Sequence, residues 1–416
     1  MHCPSLGATC DVSSCLSLVH SSNKKRTTPL TLLDLPNGVL ALIASLIDQQ
    51  TILRVALACK QLNPIARRST FFNYDGTANR TGRFLALLEA NPQLGPNVRR
   101  SAFEPIDRAQ PQDFARKASF HLFKSVATLC PNLEELVIHH LPAVGDLATL
   151  GTLTMALSLL PKLRILELGS VDASAYPPDE PGRPSWNPPF PADMLLWSLS
   201  AMTQLRSLTV VVGGSRSAAL LARQASEPGS LALKEVHLIL KDPINDDDLV
   251  ILASRTFPSL AKLSLTVDCN VNITGSGLTE AFKYLPVDTL VHFVMTETGQ
   301  EHRRTYLDPF FEKPPPLRTL ALQATSISPA TVTKLPASLS TLVLDVTTAR
   351  QGRDASSATV STTLIDRLTD STDSFLPHLQ SLILIGVEQE KLAWTNMAFH
   401  MACVKRGVEP IIVPLA

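Results

Sequence analysis

Three clusters in this sequence carry residue types that can do chemistry. Cys3, Cys10, Cys15 and His20 come close to a three-cysteine, one-histidine zinc set, whose four ligands would have to converge tetrahedrally. The intervening residues carry no aromatic or hairpin signal to build that site, so the set reads as chance in a Cys-rich tail. Asp246-Asp247-Asp248 offers three carboxylates, but no calcium-loop spacing follows. A helix N-terminus favours acidic residues through its dipole, and that explanation suffices. His139-His140 lies at the end of an apolar stretch, where a surface imidazole is the plain reading. The sequence has no Gly-x-Ser-x-Gly elbow, phosphate-cradling glycine loop or His-Glu-x-x-His. No nucleophile stands beside a base at a recognisable spacing. The expectation is a binding protein with no catalytic residue, metal or cofactor.

Composition points the same way. Lys plus Arg and Asp plus Glu are 37 each, and aromatics are 5% of 416 residues. A nucleic-acid binder needs a basic excess, because phosphate neutralisation supplies most of its affinity, and stacking platforms need aromatics. Nucleic acid is therefore not an expected partner. Seven cysteines form no dense framework and cannot all pair internally. Cys59, Cys130, Cys269 and Cys403 sit among apolar neighbours, as small buried hydrophobes do, which fits a reducing compartment, cytoplasm or nucleus. No apolar run reaches the ~18 residues of a membrane span, and a secretory signal is not expected, because no basic region precedes an apolar core at the amino terminus.

The elements that would position a binding surface fall into an order. Residues 1–29 read as a mobile tail with a basic cluster at Lys24-Lys25-Arg26. Residues 30–75 predict a small helical unit. Apolar residues at 39, 40, 43, 46 and 47 follow helical rhythm, with Pro36 suited to the first turn. A second helix carries Leu53, Val55 and Leu57, and a third carries Leu62 and Ile65. Residues 76–130 read as a connecting helical region, with Val98 and Phe103 as an irregular first repeat.

From 131 to 416 the pattern apolar-x-x-apolar-x-apolar dominates. It appears as Leu133/Leu136/Ile138, Leu163/Leu166/Leu168, Leu205/Leu208/Val210, Leu233/Val236/Leu238 and Leu260/Leu263/Leu265. It continues as Leu317/Leu320/Leu322, Leu339/Leu342/Leu344 and Leu379/Leu382/Leu384, with a degenerate copy at Val287/Leu290 where His292 takes an apolar position. The spacing is close to that of leucine-rich repeats. Two longer intervals hold a Pro-rich insertion at 172–191 and a Ser/Thr/Ala/Gly segment at 347–362, which reads as a loop. Asn245 or Asp246 caps one intervening helix and Thr274 precedes another. A helix from Asn396 stops at Gly407, and a last strand covers Ile411 to Val413. The fold class predicted is α/β, a solenoid of parallel strands alternating with helices.

In such a stack the pattern residues point inward and those between them point out onto one sheet face. The outward set includes Val137, His139, Val211, His237, Ile239, Val343, Ile383 and Ile385. β-branched residues are also simply good strand formers. Their recurrence over several turns nevertheless marks this concave face as the candidate surface for an unknown target protein.

Leu35-Pro36-Asn37-Gly38-Val39-Leu40 with Leu57-Ala58-Cys59-Lys60-Gln61-Leu62 resembles the F-box over about residues 32–72, with Phe71 and Phe72 at its closing apolar position. Together with the repeats, the chain is similar to fungal-type F-box/leucine-rich-repeat proteins. The resemblance implies a substrate receptor of an SCF-type cullin–RING ubiquitin ligase, its F-box on the Skp adaptor and its repeats on the substrate. It implies that Leu35, Pro36, Val39, Leu40 and Ile43 contact the adaptor. Leu53, Leu57, Cys59 and Leu62 would contact it or shape the helical unit. Gly38 departs from the family, which usually has Glu there, and a helical Gly costs about 0.5–1 kcal/mol relative to Ala. The alternative is a ligase-independent repeat scaffold or inhibitor with a degenerate F-box.

Overall fold

The computed structural model describes residues 35–45, 47, 51, 54, 55, 60, 62–65, 73–76, 78–103, 123–138, 147–169, 189–215, 231–241, 243–268, 271–296, 307–346, 355–370, 375–387 and 392–414. The chain divides into two compact units, Met1–Thr70 and Phe71–Ala416.

In the first unit, α1 spans Asn37–Ser45. The Pro36 carbonyl accepts from the amides of Val39 and Leu40, at 2.9 and 3.1 Å. Pro36 therefore stands just ahead of the helix rather than inside its first turn, a place where a missing N–H costs nothing. Helical backbone recurs at 51, 54, 55 and 63–65. A three-helix F-box is not shown by these described residues. The tail at 1–29 with its cysteines, and Leu53, Leu57, Cys59, Phe71 and Phe72, lie outside them.

The second unit is one sheet under one layer of helices. Its strands are β1 (Asn73–Gly76), β2 (Arg100–Phe103), β3 (Glu135–Ile138), β4 (Ile165–Leu168), β5 (Phe190–Pro191), β6 (Ser207–Gly213) and β7 (Glu235–Leu240). They continue as β8 (Lys262–Asp268), β9 (Leu290–Thr296), β10 (Thr319–Gln323), β11 (Thr341–Asp345), β12 (Ser381–Val387) and β13 (Glu409–Pro414). The strands lie side by side in chain order, except that the short β5 branches off β6. Every pairing is parallel, which requires a crossover between successive strands. The sheet begins at Asn73, well before the leucine pattern becomes legible.

The crossovers carry α2 (Ala78–Ala90), α3 (Leu147–Ser158), α4 (Ala192–Ser200), α5 (Asp246–Thr256), α6 (Gly275–Phe282), α7 (Pro329–Val332), α8 (Ala355–Thr369) and α9 (Leu392–Arg406). Helices pack on their neighbours in sequence, α3 through α6 and α7 through α9. This α/β arrangement is compatible with a repeat solenoid. Only a 3-10 turn at Ala324–Ser326 and one α-helical turn at Pro329–Val332 fit between β10 and β11, where the leucine pattern repeats after 22 residues, from Leu317 to Leu339.

Inward positions stack in register. Leu136, Leu166, Leu208, Val236, Leu263, Val291, Leu320, Leu342 and Leu382 form one row across the sheet, all buried. Burying each is worth about 1.5–3 kcal/mol. The same turn recurs ahead of eight strands: Val98, Leu133, Leu163, Leu205, Leu260, Thr289, Leu339 and Leu379 each donate an amide to the carbonyl three residues back, at 3.0–3.1 Å. The next two amides share one carbonyl of the preceding repeat, as Arg206 and Ser207 share that of Arg164.

Three expectations need correction. The copy at Val287/Leu290/His292 is displaced, because Thr289, Val291 and Phe293 are the buried residues. The loop into β9 is one residue shorter there, and a one-residue shift moves every side chain to the opposite face. Thr289 replaces the first leucine and satisfies its buried hydroxyl by donating to the Leu260 carbonyl at 2.9 Å. His292 is thereby released to the outer face. Secondly, residues 355–362 are not loop but the first half of α8, which buries Val360, Leu364 and Leu368 at helical spacing. Thirdly, the first repeat is regular in position. Val98, Ser101 and Phe103 are all buried, with Ser101 where other copies carry an apolar residue and its hydroxyl unpaired.

The acidic run is a cap, and more. Asn245 accepts from the Asp248 amide while Asp248 reaches back to the Asn245 amide, a reciprocal capping box. Asp246 spans to the next repeat, accepting from the Thr274 amide at 2.7 Å and its hydroxyl at 2.6 Å. Gly277 makes room for it: a Cβ there would lie 2.1 Å from Asp246 Oδ1. At the far end, Gly407 takes φ +68°, a conformation that suits glycine after a helix. Arg406 donates to the carbonyls of Arg367, Leu368, Asp370 and Phe375, binding α9 to the end of α8.

Candidate binding face of the sheet

The outward side chains of the parallel strands also fall into rows. The row through the middle of the strands reads Ala102, Val137, Glu167, Thr209, His237, Ser264, His292, Ala321, Val343, Ile383, Ile411. Two regions of it differ in chemistry.

Around β6–β9 the face is polar and dense. His237 and His292 flank Ser264, and His237 Nε2 lies 3.1 Å from Thr266 Oγ1. Burial, then the nearby His292 and Lys262, push the His237 pKa down to about 4. Burial likewise lowers that of His292, although the Asp345 carboxylate pulls it up and Lys262 pulls it down. Both imidazoles are therefore neutral near pH 7 and act as hydrogen-bonding groups rather than charges.

Across β11–β13 the face is apolar. Val343, Ile383 and Ile411 are register neighbours, as are Ile385 and Val413. Val343, Ile383 and Ile385 are half-buried, while Ile411 and Val413 remain 37% and 42% exposed. Asp345 and Glu409 border these five on adjoining positions of the same face.

The residues chosen from sequence are thus distributed unevenly. Val343, Ile383 and Ile385 come together in one patch. Val137 and His237 are half-buried on distant strands. Val211 and Ile239, 4% and 9% exposed, offer little surface. His139 lies outside the described residues. Ile411 and Val413 were missed as site residues, although strand alternation at the last copy points them outward. In the first unit, Leu40 is buried, at 6% exposed. Val39 is exposed, as are Pro36 and the overlooked Leu42, and Leu35, Ile43 and Leu62 are half-buried.

Cys130 and Cys403 are buried, and burial pushes their pKa values up to about 12 and about 11, which keeps both as unreactive thiols. No described group of three His, Cys, Asp or Glu side chains is placed to hold a metal ion. No described helix is long and apolar enough to cross a membrane.

No protein-family model matches the sequence, and no curated protein does. Among solved structures, the chain is similar to one described as "Crystal structure of Rad7 and Elc1 complex in yeast". The identity is 12% and the TM-score 0.36, over 84% of this chain and 88% of that chain.

Proposed function

We propose that this chain is a non-catalytic receptor, its solenoid holding a target protein and its first unit docking a Skp-type adaptor of a cullin–RING ubiquitin ligase. The observation that carries the binding half is the continuous parallel sheet, whose outer face gathers β-branched apolar side chains at one end. Partially exposed apolar clusters with a polar border are what protein interfaces use. The adaptor half rests on the F-box resemblance, and exposed Val39 and Leu42 on α1 fit it. Such a receptor does no bond chemistry and acts by raising the local concentration of target at the ligase.

Adaptor binding is tested by co-purification of the full chain with a Skp-type protein. Val39→Asp, at an exposed position, is expected to abolish capture without unfolding the chain. Capture that survives this change would count heavily against the adaptor half.

Gly38 favours a second reading, a ligase-independent scaffold with a degenerate F-box. A Cβ at Gly38 meets nothing within 4 Å, so Gly38→Glu can be made without steric cost. Under the first reading it strengthens an existing adaptor affinity severalfold. Under the second, no affinity exists for it to strengthen.

A further inference from the structure

We infer that the turns leading into β4, β6, β7 and β8 form a basic rim that holds an acidic segment, rich in Asp and Glu, of a partner protein. This rests on the reading that the solenoid holds a protein, and it names a second contact and its chemistry.

Adjacency comes first. Arg164, Arg206 and Lys234 each stand one residue ahead of a strand, and these strands are neighbours in the sheet. The Arg206 amide donates to the Arg164 carbonyl at 2.8 Å, and the Lys234 amide to the Arg206 carbonyl at 2.7 Å. Three cationic residues are therefore stacked on successive backbones about 5 Å apart. Lys162, on the first of these turns, and Lys262, at the start of β8, extend the run. All five residues are exposed. Across 159–165, 201–207, 231–235 and 258–262, Glu235 is the one acidic residue.

Other stretches of the same row are balanced. Glu134 stands between Arg99 and Arg164, 3.8 and 3.9 Å from them, and Arg318 pairs with Asp288 at 2.6 Å. Among the described residues, no carboxylate makes an ion pair with Lys162, Arg206, Lys234 or Lys262. Instead Arg206 donates to the Ala232 carbonyl at 2.8 Å and Lys234 to the Ser259 carbonyl at 3.4 Å, each on the following turn. Lys162 donates to Asn132 Oδ1 at 2.7 Å. These bonds hold the side chains in place and leave their charge uncompensated. Like charges on neighbouring strands are destabilising. An anionic ligand laid along the row offsets that repulsion, and the tethered cations lose little further freedom on binding.

The kind of anion follows from what else the turns carry. No exposed aromatic residue stands on them, so bases would have nothing to stack on. The chain as a whole has no net charge to draw a nucleic acid. Carboxylates suit the row, because a guanidinium can donate to one through two N–H groups. From Arg164 to Lys262 the rim crosses three strand spacings, about 14 Å, the reach of an extended segment of about four or five residues.

The test uses the full-length chain and fluorescence anisotropy with two labelled peptides of equal length, one of alternating Asp and Glu, the other of Asn and Gln. Exposed ion pairs are individually weak, so three or four together should make the acidic peptide bind about ten-fold tighter, a gap that shrinks in high salt. Arg206→Glu with Lys234→Glu should abolish the difference. Those two side chains also bond the next turn, so a second variant separates charge from folding. Lys262→Gln should lower the acidic peptide's affinity severalfold in a protein whose melting is unchanged. Arg318→Gln with Asp288→Asn, which removes a balanced pair on the same row, should leave that affinity as it is. Equal affinity for the two peptides, binding of neither, or a loss from the balanced-pair variant as large as from Lys262→Gln would overturn the inference. So would tighter binding of oligothymidine or of phosphatidylserine vesicles than of the acidic peptide, since the occupant would then not be a protein. Adaptor capture by the same variants is expected to be unchanged, so failure here is distinguishable from failure of the receptor reading.

Discussion

The middle strands β6–β8 and the last strands β11–β13 share backbone, register and inward chemistry, yet present different outer faces. Inward, Leu208 and Leu342 occupy the same row and both are buried. Outward, Val211 and Ile239 are buried and His237 is held neutral, whereas Ile411 and Val413 are open. The inner half of each repeat is constrained by its neighbours. The outer half is free of that constraint, so surface properties differ from one end of the stack to the other.

Core truncation should be the strongest blow and should not distinguish the two regions. Leu208→Ala and Leu384→Ala are each expected to cost about 2–5 kcal/mol in denaturant unfolding, because both leave a cavity in a packed layer. If one were nearly neutral, the two regions would not share a core.

The inter-repeat clamp should come next. Gly277→Ala forces a Cβ against the Asp246 carboxylate and is expected to lose about 1–3 kcal/mol, read as a lower unfolding midpoint. Asp246→Ala should cost a similar amount through its two lost hydrogen bonds.

A pH test separates the regions. The folded His237 takes up a proton only near pH 4, against 6.5 for an ordinary imidazole. The unfolded chain therefore binds more protons between those values, and stability rises with pH across that window and is flat above it. The contribution is about 3 kcal/mol. His237→Gln should flatten the dependence between pH 4 and 6.5, which denaturation at several pH values would show.

The smallest stability change should accompany the largest functional one. Ile411→Ser and Val413→Ser are expected to shift stability by no more than about 0.5 kcal/mol while reducing capture of the target protein. A large loss of stability would mean that these side chains serve the core instead of a surface.

The copies that were legible from sequence are those in which Leu or a β-branched residue recurs at fixed offsets, because only those side chains fill the space between neighbouring turns. The helix starts were legible to within a residue, at Asn245 or Asp246 and after Thr274, since the capping side chains of Asn245 and Thr274 satisfy amides only one turn away. The shift at β9 was not. Threonine can be buried only with a partner, and that partner, the Leu260 carbonyl, lies 29 residues back in sequence. Residues 355–362 misled for a related reason: Ser and Thr have weak helix propensity, and the helix forms because Val360, Leu364 and Leu368 have a core to enter. In the first unit, the helical spacing marked α1, but not that Leu40 would be buried and Leu42 exposed.

By itself, then, the sequence determined the α/β repeat and the inward row, because local periodicity and burial are the same information in a stacked fold. It also determined the helix starts, through side chains that bond within one turn. Only the tertiary structure decided which outward residues stay accessible, which imidazoles are neutral, and that Ile411 and Val413 extend the patch at Val343, Ile383 and Ile385. Those outcomes depend on neighbours roughly 30 residues away along the chain, which meet only when parallel strands align.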